Sequence, residues 1–212
     1  MNRIQHIALF FLFTALIYSG NLHAQVASGL INGHDYVDLG LSVKWATCNV
    51  GANKPSDYGN YYAWGETETK STYTEENCET WEKQIGNIGY TSRDVAHVKW
   101  GGSWRMPTEV EFEELLDENN CDWTWITMNG VNGYKVTSKK LGYKDNYIFL
   151  PTAGRHFDGP TPIYSGKNGD YWSSSPYENN ACRAVHLYFD GYYICQLKKG
   201  RYIGMPVRPV SE

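Results

Sequence analysis

Short runs of alternating apolar and polar residues, separated by turn residues, constrain this chain more than any other feature of its sequence. After residue 122, strand-like runs follow one another closely, and two strong turn dipeptides, Asn129-Gly130 and Asp190-Gly191, lie between such runs. Alternation with a period of two places successive side chains on opposite faces of a strand, and these dipeptides favour two-residue hairpins. This part of the chain is therefore predicted to consist of antiparallel hairpins.

Strands are predicted along much of the chain. They are expected as one or two strands within 36–47, and then at 123–127, 134–137, 147–150, the hairpin 183–197, and 204–210. Residues 50–60 are rich in Gly, Asn, Asp and Pro, which indicates a loop. Residues 66–90 are polar and lack periodicity, so we expect a long surface insertion there.

One helix is clearly marked, and it begins after Thr108. Thr108 and Glu111 are spaced as a capping box, and Phe112 with Leu115-Leu116 gives the helix one apolar face. A shorter helix is predicted around 94–99. Few helices among many short strands indicate the α+β class, in one domain.

The first 24 residues have the organisation of a secretory signal peptide. Arg3 precedes the apolar run 7–18, small and polar residues follow, and cleavage is expected after Ala24. An apolar run of this length is too short to span a bilayer as a helix, which needs about twenty residues. We therefore expect an exported protein in the extracellular space, on the cell surface or in the periplasm. Its mature chain is expected to be a single domain over 25–212 without a transmembrane segment.

The composition and motifs exclude several classes of function. With a net charge of −4 and no dense block of basic residues, nucleic acid is not an expected partner. The familiar motifs for zinc, calcium, nucleotides and activated nucleophiles are missing from the sequence, and its scattered histidines are not spaced as paired metal ligands. We therefore expect a non-enzymatic protein with no metal and no other cofactor.

The disulfide pattern stays open, because five cysteines follow the predicted signal peptide: Cys48, Cys78, Cys121, Cys182 and Cys195. A two-residue turn at Asp190-Gly191 would place Phe189 opposite Tyr192 and His186 opposite Cys195. Cys182 would then lie roughly 13 Å from Cys195 along the sheet. Because a disulfide requires Cα atoms within about 7 Å, no bond is expected between Cys182 and Cys195.

Tyrosines are concentrated near the C-terminus, where seven of the 17 lie within 164–202. Tyrosine combines a stiff ring with a polar tip, which suits a recognition surface. The predicted hairpin register places one set of side chains toward the core: Val185, Leu187, Phe189, Tyr192 and Ile194. It places another set on the opposite face: Ala184, His186, Tyr188, Tyr193, Cys195 and Leu197. Either this second face is open to a ligand or both faces are covered, since tyrosine also favours strands.

We expect ligand contacts from nine residues in this region: Tyr164, Tyr171, Tyr177, Glu178, Asn179, Asn180, His186, Tyr188 and Tyr193. They combine aromatic rings with amide, carboxylate and imidazole groups. Such side chains pack against a ligand and form hydrogen bonds with it.

The segment Trp104-Arg-Met-Pro-Thr-Glu-Val-Glu-Phe112 resembles a motif of bacterial C-type-lectin-like domains, including the Fibrobacter succinogenes major paralogous domain family. Further segments agree in order: 38–47, 61–66, 148–154, 171–175 and 204–210. The resemblance implies a C-type-lectin-like fold of small twisted antiparallel sheets with one or two helices and paired N- and C-terminal strands. It also implies ligand presentation by a central hairpin and the loops before it. The calcium-binding motifs of sugar-binding relatives are missing.

These features predict a secreted or cell-surface binding module for a glycan or a protein. Two alternatives stay open. The chain could be a structural component of a surface or pilus-like assembly. It could also be a relative of the formylglycine-generating oxidases, whose chemistry requires a cysteine pair; these enzymes and the phage tropism-determinant domains are more remote resemblances.

Overall fold

The computed structural model describes residues 26–212, so the predicted signal peptide and its cleavage site lie outside the described residues. The elements follow in the order β1 (Gly29–Ile31), β2 (His34–Val37), β3 (Lys44–Ala46), α1 (Val95–Trp100), α2 (Glu109–Leu116), β4 (Cys121–Met128), β5 (Val131–Ser138), β6 (Tyr147–Pro151), β7 (Gly169–Pro176), β8 (Arg183–Phe189), β9 (Ile194–Gly200) and β10 (Val210–Ser211). The strands form three antiparallel sheets, ordered β1-β2-β3-β10, β4-β5-β6 and β7-β8-β9. This mixture confirms the α+β class.

The first sheet joins the two ends of the described chain, since Val210 of β10 pairs with Trp45 of β3. The strand predicted over 204–210 is reduced to Val210–Ser211. Pro206 and Pro209 explain the difference, because proline has no backbone N–H to donate to a strand ladder.

Both predicted helices are present. The capping box of α2 is complete, since the Glu111 N–H donates to Thr108 Oγ1 at 3.2 Å and the Thr108 N–H donates to Glu111 Oε2 at 2.8 Å. Phe112 is fully buried and lies on the apolar face of this helix. Asp94 caps α1 by accepting hydrogen bonds from the first turn.

The β4–β5 hairpin has a two-residue turn at the predicted dipeptide. Met128 pairs with Val131, and Asn129 and Gly130 both have positive φ, at 50° and 81°. Two successive positive φ values are the requirement of a type I′ turn, which Asn-Gly satisfies with little strain.

The β8–β9 hairpin differs from the prediction by two residues. Phe189 pairs with Ile194 rather than with Tyr192, so residues 190–193 form a four-residue loop. The Asp190 side chain explains this loop, because its Oδ1 accepts the N–H groups of Tyr192 and Tyr193. A shift by an even number of residues keeps each strand residue on its predicted face, but it removes Tyr192 from the core.

The corrected register also changes the positions of two cysteines. Cys195 pairs with Tyr188, not with His186. Six residues separate Cys182 from Tyr188, which corresponds to roughly 20 Å along an extended strand. All five cysteines are unbonded.

Residues 66–90 contain no helix or strand, but they are not confined to the surface as predicted. Tyr73, Thr80 and Ile88 are buried within this segment. Irregular backbone can lie inside a protein when its polar groups find partners. Here the Ile88 N–H donates to the Ser174 carbonyl, and the Thr80 hydroxyl donates to the Trp64 carbonyl.

Candidate functional site

A solvent-open groove of about 710 Å³ lies where α2, the end of β7 and residues 84–87 meet. We call it the α2–β7 groove. Its volume falls in the range of small-molecule sites, about 300–1,000 Å³. It is lined by Gln84, Ile85, Gly86, Asn87, Glu109, Ser175, Pro176, Tyr177, Glu178, Asn179, Ala181, Lys198 and Arg201.

Arg201 forms the rigid base of the groove. Its side chain is almost completely buried, and its guanidinium carbon lies 4.2 Å from the centre of the Trp64 ring. Nε donates to the Arg183 carbonyl at 3.1 Å, and Nη1 donates to the Lys83 carbonyl at 2.8 Å. Burial lowers the pKa of Arg201. Because these bonds join Lys83 to β8, Arg201 holds the chain directly before the 84–87 wall against the β7-β8-β9 sheet.

The start of α2 forms another wall. The Glu109 N–H donates to Ser175 Oγ at 3.0 Å, and the Glu109 carbonyl accepts a bond from Gln196 Nε2 at 3.2 Å. These two bonds attach the first turn of α2 to β7 and to β9. The Glu109 side chain lines the groove at this fixed position.

Residues 84–87 complete the walls and are exposed or half-buried. Ile88, directly after them, is buried and donates its N–H to the Ser174 carbonyl at 3.1 Å. This buried residue anchors the segment to β7. The amide of Asn87 accepts a bond from the Gly89 N–H through Oδ1 at 2.8 Å, which leaves its NH₂ group for other partners.

The turn between β7 and β8 forms the rim. The Tyr177 N–H donates to the Arg183 carbonyl at 3.1 Å, and Asn180 Oδ1 accepts the Cys182 N–H at 2.9 Å. The Lys198 ammonium lies 5.9 Å from the centre of the Tyr177 ring. The turn is therefore held by its own backbone bonds, and its tyrosine lies beside a cation.

Four of the nine predicted ligand residues belong to this turn. Tyr177, Glu178 and Asn179 line the groove, whereas Asn180 uses its side-chain oxygen to stabilise the turn. The sequence predicts all four because they belong to one aromatic and Asn-rich segment.

Two of the nine lie in the interior, so the expected ligand contacts of these two residues are corrected by their burial. Tyr171 and His186 have no exposed surface. The Tyr171 hydroxyl donates to the Pro151 carbonyl at 2.6 Å. The His186 ring packs edge-on against Trp172, and its Nε2 lies 3.4 Å from Asp170 Oδ1. Burial lowers the pKa of His186 and raises the pKa of the Tyr171 phenol.

The remaining three residues are outside the groove. The half-buried Tyr188 donates its hydroxyl to Asp190 Oδ2 at 2.9 Å. Burial, and to a smaller extent this hydrogen bond, raise the pKa of Tyr188 to about 12. Tyr193 is exposed in the four-residue loop. Tyr164 is exposed, has a positive φ of 60°, and lies 5.0 Å below the guanidinium carbon of Arg155.

Sequence reasoning missed much of the groove, including Gln84, Asn87, Glu109 and Lys198. Glu109 lies in the first turn of a capped helix, where the helix dipole by itself accounts for a carboxylate. Residues 84–87 lie in a segment without periodicity, so no local pattern could place them beside the β7–β8 turn. Lys198 is exposed, pairs with Val185 and follows directly after the predicted hairpin 183–197.

Within residues 26–212, no three or more His, Cys, Asp and Glu side chains are grouped so that they could hold a metal ion. The same residues include no helix with the length and apolar character needed to cross a membrane. Comparisons with protein-family models, curated proteins and solved structures find no match to this chain.

Proposed function

We propose that this chain is an exported, non-enzymatic binding module of C-type-lectin-like fold that recognises a glycan in the α2–β7 groove. The observation that carries the proposal is the chemistry of the groove lining, which combines amide and carboxylate groups with one tyrosine ring and one ammonium group. The resemblance in sequence supports the fold, and the pairing of β3 with β10 agrees with it.

The polar groups of the groove suit the hydroxyls of a sugar. A hydroxyl both donates and accepts hydrogen bonds, as an amide side chain does, whereas a carboxylate only accepts. Gln84, Glu178 and Asn179 are exposed, and no other residue within 26–212 forms a hydrogen bond with their side chains. They are therefore available to a ligand without the loss of an internal bond.

The Tyr177 ring supplies the apolar surface of the groove. Aromatic rings contribute large contact areas at low entropic cost and are common in recognition surfaces. Its half-buried position beside Lys198 restricts its orientation. A sugar that places its C–H groups over this ring would also reach the amides of the rim.

The walls of the groove are held in place before a ligand arrives. Arg201, the first turn of α2 and Ile88 each join two parts of the frame through backbone-directed bonds. Because binding then requires little ordering of the protein, less of the interaction free energy is lost as entropy.

A protein ligand or a surface assembly is the second candidate function, and one observation favours it. Tyr192 and Tyr193 are 90% and 69% exposed in the β8–β9 loop, next to the edge strand β9. Exposed tyrosines of this kind are typical of protein contacts. The oxidase alternative finds no support in the cysteines, because Cys182 and Cys195 are roughly 20 Å apart along the sheet.

Binding of purified 25–212 to a broad glycan array tests the proposal, with Tyr177→Ala and Asn179→Ala variants beside it. The matched control is Tyr192→Ala, the same substitution at an exposed tyrosine outside the groove. We expect a defined glycan to bind the wild type and the control, and to be lost or strongly weakened in the groove variants.

Two outcomes would overturn the groove assignment. If Tyr177→Ala and Asn179→Ala bind as the wild type does, recognition lies elsewhere on the surface. If no glycan binds, while light scattering shows self-association that Tyr192→Ala removes, the assembly function replaces the one proposed.

A further inference from the structure

A second cavity, of about 370 Å³, shares no lining residue with the α2–β7 groove. It is lined by Gly59, Asn60, Tyr61, Thr69, Lys70, Ser71, Tyr73, His156, Pro160 and Pro162. We call it the Tyr61 cavity. The irregular 66–90 segment contributes residues to both cavities.

One side of the Tyr61 cavity is built from rings. The Tyr73 and His156 rings meet edge to face with centroids 4.9 Å apart, and the Tyr61 ring lies 6.0 Å from His156. Pro160 and Pro162 add two apolar rings to the same lining. Because Tyr73 and His156 are 1% and 5% exposed, the apolar surface that a ligand can reach comes from Tyr61, Pro160 and Pro162.

The tyrosine hydroxyls on this side already have partners inside the protein. The Tyr61 hydroxyl donates to the Ala153 carbonyl at 2.6 Å, and the Tyr73 hydroxyl donates to the Tyr61 carbonyl at 2.5 Å. Burial raises the pKa of Tyr61 to about 12. These bonds fix the ring positions. The buried Tyr73 ring supports the site from behind, and the half-buried Tyr61 ring is left to act through its carbon surface.

The Tyr73 ring also depends on Gly204. A Cβ at position 204 would lie 2.8 Å from the Tyr73 ring, so only glycine allows the backbone to approach this closely. Gly204 pairs in turn with His156 through two backbone bonds, of 2.7 and 2.8 Å. The ring cluster is therefore held by backbone contacts on two sides.

The rim of the Tyr61 cavity is polar and has no unpaired charge. The hydroxyls of Thr69 and Ser71 have no hydrogen-bond partner among residues 26–212, and Asn60 uses only its Nδ2, in a bond to the Tyr62 hydroxyl. The Lys70 ammonium is paired with Glu66 at 2.5 Å. The cavity thus offers neutral donors and acceptors opposite its apolar rings.

We propose that the Tyr61 cavity binds the pyranose ring of a neutral saccharide. A pyranose has an apolar C–H face and a polar hydroxyl edge, which match the ring side and the rim of the cavity. A charged sugar fits less well, because Lys70 is already neutralised and a buried charge without a partner is costly. The site is independent of the glycan groove, so either one can exist without the other.

Amide NMR titration of ¹⁵N-labelled 25–212 with methyl pyranosides of the common neutral hexoses tests this site. We expect shifts at the amides of 59–61 and 69–73, with a Kd on the order of 1 mM because a single ring buries little surface. Tyr61→Ala should abolish these shifts, whereas Tyr61→Phe should retain them, since the ring stays and the lost hydroxyl bonds Ala153 and Ser165, which do not line the cavity. Methyl glucuronide, at the same concentrations, should shift them less.

A Thr69→Ala, Ser71→Ala double variant keeps the test valid if Tyr61→Ala fails to fold, because both residues are exposed and bond nothing else. Binding should weaken at least several-fold in this variant. The site is refuted if no pyranoside shifts these amides, or if the shifts persist unchanged in both Tyr61→Ala and the double variant.

The glycan groove is judged separately. Tyr177→Ala should leave the pyranoside shifts at 59–61 intact. If it removes array binding while no shifts occur at the Tyr61 cavity, the proposed function stands and the second site does not exist. If the shifts occur without array binding, the Tyr61 cavity binds a saccharide and the proposed function of the groove fails.

Discussion

The β4–β5 and β8–β9 hairpins carry similar turn dipeptides but form different turns. Asn129-Gly130 makes a two-residue turn, whereas Asp190-Gly191 begins a four-residue loop. The difference lies in the first residue of each pair. Asn129 adopts positive φ, while Asp190 accepts three bonds, from the Tyr188 hydroxyl and the backbone of Tyr192 and Tyr193. A turn dipeptide therefore predicts a reversal of the chain more securely than it predicts the register.

The hairpins also differ in how their strands are buried. Strand β4 lies at a sheet edge and mostly alternates between more buried and more exposed residues, whereas Ala184, Val185, His186 and Leu187 of β8 are all buried. Strand β8 lies between β7 and β9, and other parts of the chain cover both of its faces. An alternating pattern therefore indicates an open face only where nothing else packs on it.

The largest expected effect concerns the aromatic contact that joins the two hairpins. Phe189 is fully buried and packs against Tyr134 and Trp123 of β4–β5 and against Tyr171 of β7. Phe189→Ala should lower the free energy of unfolding by about 3–5 kcal/mol. Urea denaturation measures this, with Tyr192→Ala as the exposed control, expected within about 0.5 kcal/mol of the wild type. If Phe189→Ala and Tyr192→Ala lowered the free energy of unfolding by similar amounts, the two hairpins would not share a core through Phe189.

The next effect follows from the burial of His186 on the second face of β8. Burial holds the pKa of folded His186 below its unfolded value of about 6.5, and burial also lowers the pKa of His34. A lowered histidine pKa stabilises the folded state above the unfolded pKa, and this contribution is lost as the pH falls below it.

Thermal or urea unfolding between pH 7 and pH 5 should therefore show falling stability in the wild type. His186→Gln should flatten most of this slope, although the charged groups near His186, Asp170, Arg155 and Lys199, remain in place. An unchanged slope in the variant would mean that His186 titrates normally and is accessible to water.

A smaller effect separates the two turn glycines. Gly130 has φ +81°, whereas Gly191 does not adopt positive φ, and an added Cβ meets no atom within 4 Å at either position. Gly130→Ala should thus cost about 1–2 kcal/mol through the left-handed backbone alone, and Gly191→Ala should cost almost nothing. If urea titration showed equal losses of unfolding free energy for Gly130→Ala and Gly191→Ala, the difference in turn type would be contradicted.

The smallest effect is expected from deletion of Tyr192 and Tyr193. Phe189 and Ile194 would remain paired across an Asp-Gly two-residue turn, and halving the loop changes its closure entropy by only about 0.6 kcal/mol. Cross-strand NOEs between Phe189 and Ile194 would report the retained register. A shifted register would show that Asp190 and its loop bonds determine the pairing.

The local parts of the fold were predictable from the sequence. The capping box of α2, the short helix α1, and the Asn129-Gly130 hairpin depend on residues within a few positions of one another. Of the candidate groove, the sequence predicted Tyr177, Glu178 and Asn179, because they are neighbours in an aromatic and amide-rich turn.

The tertiary structure alone decided the rest. It placed Gln84 and Lys198 beside that turn, buried Tyr171 and His186, and brought the 66–90 segment into the walls of two cavities. These outcomes depend on contacts between residues far apart in the chain, on which hydrophobic side chains cover a given face, and on which distant carbonyl accepts a given donor. Periodicity and turn propensity describe short-range preferences, so they carry no information about such partners.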